Sequence, residues 1–228
     1  MSSDEGPLVA VDRPADGVAL LTLNRPSRKN ALSIALRDEA SDALESLAAD
    51  AACRVVVITG SGNTFSAGFD LGEFADSDTA HVDRLWASSD RFHHAVLRFP
   101  LPTIAAVNGA AIAGGFDLAV LTDIRIAAAS AWFSHPERRW SEVVYRPLRE
   151  LVGGGVARYL TLTGRRIDAV EALTIGLVNA VVPDAELLRH STELAADVAT
   201  APRDVLVRAK AKIVAATDIA ADVRTLDL

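Results

Sequence analysis

The 228-residue sequence has one cysteine, Cys53, so it can form no internal disulfide and no cysteine-rich zinc site, a usage that fits a reducing compartment. It has no apolar run near the ~20 residues that a membrane span needs. Its opening residues, Met-Ser-Ser-Asp-Glu-Gly-Pro, lack the apolar stretch of a signal peptide. The expectation is a cytoplasmic protein with no membrane partner. It also lacks positive charge: 23 Lys and Arg stand against 30 Asp and Glu, a net charge of −7 with no basic tail, which argues against nucleic acid as a partner. Only three of the basic residues are lysine, an arginine- and alanine-rich bias that suggests a GC-rich bacterial source. The five histidines offer no metal site, because the neighbours His93 and His94 point about 100° apart on a helix and cannot converge. Ser66 lacks the Gly-x-Ser-x-Gly elbow of a serine hydrolase, and Gly60-Ser-Gly62 lacks the third glycine of a dinucleotide fingerprint.

What is present is an ordinary globular balance, 50% hydrophobic and 23% charged, in a chain long enough to bury a substantial core. Leu8 to Val11 and Val18 to Leu23 read as strands around an Asp16-Gly17 turn. Ser33 to Ala49 reads as a helix, Arg54 to Thr59 as a buried strand, and His81 to Phe99 as a second helix. Thr103 to Val107 and Asp123 to Ala127 read as strands either side of a helix from Gly114 to Leu121. After Glu137 the pattern is helical, around Ala157 to Thr163, Ala169 to Ile175, Ala185 to Val198 and Val205 to Ala215. This predicts an α/β core, with a helical C-terminal part.

Two glycine-bearing stretches carry the chemistry: Phe65-Ser-Ala-Gly-Phe-Asp-Leu71 and Val107-Asn-Gly-Ala-Ala-Ile-Ala-Gly-Gly-Phe-Asp-Leu118. Each follows an apolar run, Val55 to Ile58 and Ile104 to Val107, and each lets main chain approach a ligand with no Cβ in the way. Two amides converging on one oxygen make an oxyanion hole, able to stabilise an enolate or a tetrahedral thioester intermediate.

Together the two stretches resemble the crotonase family, the enoyl-CoA hydratase/isomerase group, whose members act on acyl-coenzyme A thioesters. The resemblance runs from residue 18 to about 215, through Leu162-Thr-Gly164 and Ala169 to Val178. It implies a spiral of β-β-α turns over residues 1–155, followed by a C-terminal helical trimerisation region, 156–228, shorter than is usual. A homotrimer or hexamer follows. The resemblance assigns the oxyanion amides to Phe69 and Gly114 and the acid/base carboxylates to Asp117 and Glu137, twenty residues apart. Two carboxylates can hold one water and add its elements across a conjugated double bond. Asp117 is one methylene shorter than the glutamate usual in hydratases, roughly 1.5 Å of reach. The reaction expected is hydration or a double-bond shift; the alternative is a crotonase-fold protein that binds acyl-CoA without turning it over.

Coenzyme A enters as part of the substrate, with no separate cofactor. The resemblance places it along Asn24 to Ala31, where Arg28 and Lys29, with Arg25 beside them, face its phosphates and Ala31 lies against it. Ser66, Ala67, Asp70 and Leu71 belong to the stretch whose backbone meets adenine. The segment from Arg138 to Val152 departs from the family pattern, lacking its glycines, so that Trp140, Glu142 and Tyr145 are expected at the acyl end. Two local readings stand beside these. Ser134-His-Pro-Glu137 has the form of a capping box, and His135 reads as an orienting or packing residue rather than a base.

Overall fold

Four times the chain lays down two strands and then a helix. The computed structural model describes residues 6–217, 219 and 223–228; the acidic residues 1–5, part of the leader reading, lie outside these. Strands β1 (Val9–Ala15) and β2 (Val18–Leu23) precede α1 (Ile34–Ala49), and β3 (Val55–Gly60) and β4 (Thr64–Ser66) precede α2 (Thr79–Leu97). Next come β5 (Thr103–Val107), β6 (Ala110–Ile112) and α3 (Gly114–Leu121), then β7 (Ile124–Ala128), β8 (Trp132–Ser134) and α4 (Arg146–Thr163). The chain closes with β9 (Ile167–Asp168), α5 (Ala169–Thr174), β10 (Ala180–Val182), α6 (Leu187–Val198) and α7 (Arg203–Ala216).

The larger sheet has the order β1-β2-β3-β5-β7-β10, and the smaller one the order β4-β6-β8-β9. From β3 to β8 the first strand of each pair joins the larger sheet and the second joins the smaller, so the chain winds as a spiral between the two. All neighbours from β2 to β10 in the larger sheet are parallel. β3 and β5 are buried along their whole length, the condition under which a strand reads as a continuous apolar run. The expected hairpin is present, with Gly17 at φ 75 supplying its turn.

Helix starts follow their caps. Ser33 accepts the Leu36 amide and Asp78 accepts those of Ala80 and His81, so α1 starts one residue later than predicted and α2 two residues earlier than predicted. The helix expected from Ala157 begins at Arg146, with non-helical dihedrals at Gly153 (φ 75, ψ 160) marking a kink between two helical pieces. The final helices are tied to the core: Arg203 donates to the carbonyls of Cys53 and Ala48, and the buried Lys210 pairs with Asp123 at 2.5 Å. The Leu228 carbonyl accepts the amides of Tyr145 and Arg146 at the start of α4. Among the described residues no helix is long and apolar enough to cross a membrane.

Candidate active site

β4, β6 and β8 are three-residue strands lying side by side and parallel, with Ser66 opposite Ala111 and Ile112 opposite Ser134. The residues that leave their carboxyl ends are therefore neighbours, although 40 or more positions separate the first strand from the second. Ala67-Gly68-Phe69 follows β4, Ala113-Gly114 opens α3 after β6, and His135-Pro136-Glu137 follows β8. Parallel sheets bind ligands at this end, where successive strands release their loops.

The first turn is built around Gly68 (φ 83), where a Cβ would stand 2.7 Å from the Ile112 carbonyl oxygen and 3.1 Å from the Gly114 nitrogen. Only glycine lets the two loops approach so closely. The Leu32 amide donates to the Gly68 carbonyl, within a parallel bridge between Leu32 and Phe69. In such a bridge the partner's bonds straddle Phe69, so its own N–H points away from that neighbour. The second turn reverses at Ala113 (φ 51, ψ −127), a strained conformation for a residue with a Cβ. Ala113 donates to Ser134 and accepts from Phe116 and Asp117, which fixes Gly114 as the first residue of α3. Amides at that position have no acceptor inside their own helix and lie at the positive end of its dipole.

Phe69, Gly114, Asp117 and Glu137 line one cavity of about 550 Å³, together with Ala67 and Leu71. Phe74, Trp86 and Trp140 give it an aromatic wall, with the Phe69 ring 6.2 Å from Phe74 and 6.3 Å from Trp86. Buried Arg37, held by the carbonyls of Leu32 and Leu85, lies 4.5 Å over the Phe69 ring and stiffens it from behind. A larger groove of about 650 Å³, between Arg98 to Pro100 and α7, contains none of the site groups.

Burial pushes the Asp117 carboxyl up from 3.8 to about 7, opposed by His135 and reinforced by Glu137. The His135 ring is buried and stacked on Phe116, with centroids 4.4 Å apart. Its Nδ1 is 2.7 Å from Glu137 Oε1, and its Nε2 is 3.8 Å from Asp117 Oδ1. Asp117 Oδ1, His135 Nε2 and Glu137 Oε2 are buried and lack hydrogen-bond partners. Such a group of unpaired atoms is costly unless a ligand or water completes it.

The capping-box reading of Ser134 to Glu137 does not hold. Ser134 Oγ donates to the Gly164 carbonyl, and the turn Pro136–Arg139 is a 3-10 helix without a side-chain cap. Gly164 (φ 59) is pressed against this turn, where a Cβ would meet the His135 carbonyl oxygen at 2.4 Å. Glu137 is thus free of capping duty. Tyr145 is also displaced from its expected place: Trp140 and Glu142 line the cavity, whereas Tyr145 packs against the core.

Among the remaining sequence-predicted residues, Ser66 is a buried strut that donates to the Asn30 carbonyl and accepts the Gly68 amide. Asp70 pairs with Arg25 at 2.6 Å and caps Gly72. That pairing takes Arg25 out of the basic patch and leaves Arg28 and Lys29 exposed. Neither these two nor Ala31, Ser66 or Asp70 lines the cavity. The Lys29 carbonyl accepts the Ala67 amide, however, so their segment runs along its edge. Thr225 is a lining residue that sequence reasoning missed. It reaches the site from the chain's last turn, 3.0 Å from Ser89 Oγ and 2.9 Å from His93 Nδ1, a contact no motif announces.

The family model described as enoyl-CoA hydratase/isomerase matches residues 13–228. Hydroxycinnamoyl-CoA hydratase-lyase of Pseudomonas fluorescens is 36% identical over 189 residues, 79% of this chain and 68% of that protein. An enoyl-CoA hydratase from Bacillus anthracis superposes with a TM-score of 0.88 at 34% identity, over 93% of this chain and 84% of its own. A monofunctional enoyl CoA isomerase from M. smegmatis gives a TM-score of 0.82 at 35% identity, over 94% and 96% of the two chains.

Proposed function

The chain belongs to the enoyl-CoA hydratase/isomerase family, and we propose that it hydrates, or shifts the double bond of, an acyl-CoA at the cavity beyond the carboxyl ends of β4, β6 and β8. The carrying observation is that Phe69, Gly114, Asp117 and Glu137 share one cavity wall. The thioester oxygen sits on the amides of Phe69 and Gly114, which stabilise the negative charge of an enolate. Glu137 moves the proton at the α carbon. In hydration Glu137 enters protonated and Asp117 ionised. Asp117 takes a proton from water as its hydroxyl adds to the β carbon, Glu137 gives its proton to the α carbon, and the proton left on Asp117 returns to Glu137 by way of solvent before the next turnover. In a double-bond shift Glu137 both removes and returns the proton.

The acyl group lies against Phe69, Phe74, Trp86 and Trp140. The rest of the thioester leaves past Ala67 and Leu71, along the main chain of Ala31, Ser66 and Asp70, with its phosphates toward Arg28 and Lys29. We assign assembly to residues 156–228, where Tyr159, Leu162, Val170 and Leu173 expose apolar side chains. A homotrimer, or a hexamer of two trimers, would cover them. A reducing, cytoplasmic setting suits the single buried thiol of Cys53.

Incubation with a panel of enoyl-CoAs tests this reading. Hydration adds the mass of one water and removes the conjugated absorbance, whereas a double-bond shift changes the absorbance alone. A panel that is bound but never turned over would leave a binding protein, and a panel that is not bound would remove the reading altogether.

A further inference from the structure

We propose that His135 is a positioning residue for this reaction, holding Glu137 by one carboxyl oxygen so that the other meets substrate, and spanning the gap to Asp117 with the same ring. The proposal rests on the functional reading above and adds a residue to it.

The ring is held on every side. It is 1% exposed and stacked on Phe116 at an interplanar angle of 20°. Its backbone is fixed by the Ser134 bond to Gly164, by the close approach of Gly164 to the His135 carbonyl, and by Pro136. A ring so confined presents each nitrogen in one direction. Nδ1 lies 2.7 Å from Glu137 Oε1, so one proton sits between them whichever group carries it. Oε1 is therefore engaged, and Oε2 is the Glu137 oxygen left without a partner. A carboxylate with two free oxygens would turn about its last bond; this one is locked.

Nε2 faces the other carboxyl. At 3.8 Å from Asp117 Oδ1 it is too far for a direct hydrogen bond, and both atoms are buried and unpaired. An oxygen atom of water or of a ligand could reach both only from the side of the line that joins them, at ordinary hydrogen-bond distance from each. The titratable groups facing the ring are Asp117, from α3, and Glu137, from its own turn, while Phe116 contributes only a face. Arg138, on the same turn, faces Gly164. A histidine that served packing alone would not need one nitrogen bonded to Glu137 and the other turned toward Asp117, two carboxyls that line the cavity.

Two substitutions test the proposal on whichever enoyl-CoA the panel identifies. His135→Phe keeps the stack and removes both nitrogens; His135→Asn restores an N–H where Nδ1 stands. The Phe variant should lose about 10²-fold in kcat, the size of effect expected when a catalytic group is misplaced by about 1 Å, with KM within about threefold. The Asn variant should recover at least about tenfold of that loss. Because the group bonded to Glu137 is then an amide and not a ring nitrogen, its kcat–pH profile should be displaced from wild type. Melting curves and calorimetry with free coenzyme A establish that both variants fold and bind.

A Phe variant within about threefold of wild-type kcat and with an unchanged profile would overturn the proposal, as would Phe and Asn variants equally impaired though folded. If the Phe variant does not fold, the Asn variant decides, and a profile superimposable on wild type would refute the role. Glu137→Gln is the control that separates the two levels. If it abolishes turnover while His135→Phe does not, only this inference fails. If it leaves turnover intact, or if no enoyl-CoA reacts, the reading of the whole site fails.

Discussion

Replacing Asp117 by Asn should make the protein more stable as pH rises, while removing hydration. The buried Asp117 carboxyl titrates about 7 in the fold against 3.8 for the free side chain. With its folded value raised, its favourable contribution is fully present below pH 3.8 and is lost as pH rises through 7. At 1.36 kcal/mol per pH unit, that difference approaches about 4 kcal/mol once the group is fully ionised in both states. Asn has nearly the same shape and no charge to desolvate, so wild type and variant should match near pH 4 and diverge upward. For a chain of this size 1 kcal/mol moves Tm by about 2–4 °C, so the variant should melt about 10 °C higher at pH 8. The assay is a set of paired melts from pH 4 to 9, in which taking the difference cancels the groups the two proteins share. Hydration should move the other way: wild-type kcat/KM should rise through pH 7 as Asp117 ionises, and the variant should lose about 10²–10⁴-fold. Parallel melting curves at every pH would refute the desolvation argument, even if activity were lost.

Three further outcomes follow from the same geometry. Glu137→Gln should lower turnover about 10²–10⁴-fold while keeping acyl-CoA affinity within a few-fold by calorimetry, since the amide is nearly isosteric but cannot take the proton. Arg28→Ala with Lys29→Ala should raise KM about tenfold or less at low salt with kcat unchanged, and should have no effect on an acyl-pantetheine lacking the phosphates, because exposed charges are screened and individually weak. Light scattering should give a trimer or hexamer at micromolar concentration, and Leu162→Glu, placing a charge on a residue that is 71% exposed, should shift it toward monomer; an unchanged mass would remove that face from the interface.

Much of this fold was legible because its larger sheet is written in runs of buried residues. Val55 to Ile58 and Ile104 to Val107 are apolar without interruption, and the helices expected from Ser33 and His81 begin within one or two residues of their observed starts at Ile34 and Thr79. The smaller sheet was not legible. Its strands β4, β6 and β8 are three residues each, too short for any alternation to declare itself. The glycines that follow them were visible because close approach demands glycine in sequence as well as in space. The local capping-box form of Ser134 to Glu137 could not be dismissed from sequence, because a motif of four residues cannot show that Ser134 is committed to Gly164, thirty positions away. The break at Gly153 likewise hid the first half of α4 behind residues that end helices more often than they bend them.

Asp117 and His135 bear on each other in a way neither sequence position reveals. A carboxyl one methylene short should leave the reacting water under-held by roughly 1.5 Å. In the fold the His135 ring stands beside this carboxyl, with Nε2 3.8 Å from Asp117 Oδ1 and Nδ1 2.7 Å from Glu137 Oε1. Both facing atoms are buried, so a longer side chain at 117 would have to find its room beside the ring. Lengthening the carboxyl should therefore not improve this enzyme. Asp117→Glu would crowd the buried ring that already stands 3.8 Å from this carboxyl, so we expect lower hydration, not higher. If Asp117→Glu in place of wild type raised kcat, the ring would be a spacer that the chemistry tolerates; if only Asp117→Glu combined with a smaller residue at 135 restored activity, the two positions would be acting as one device.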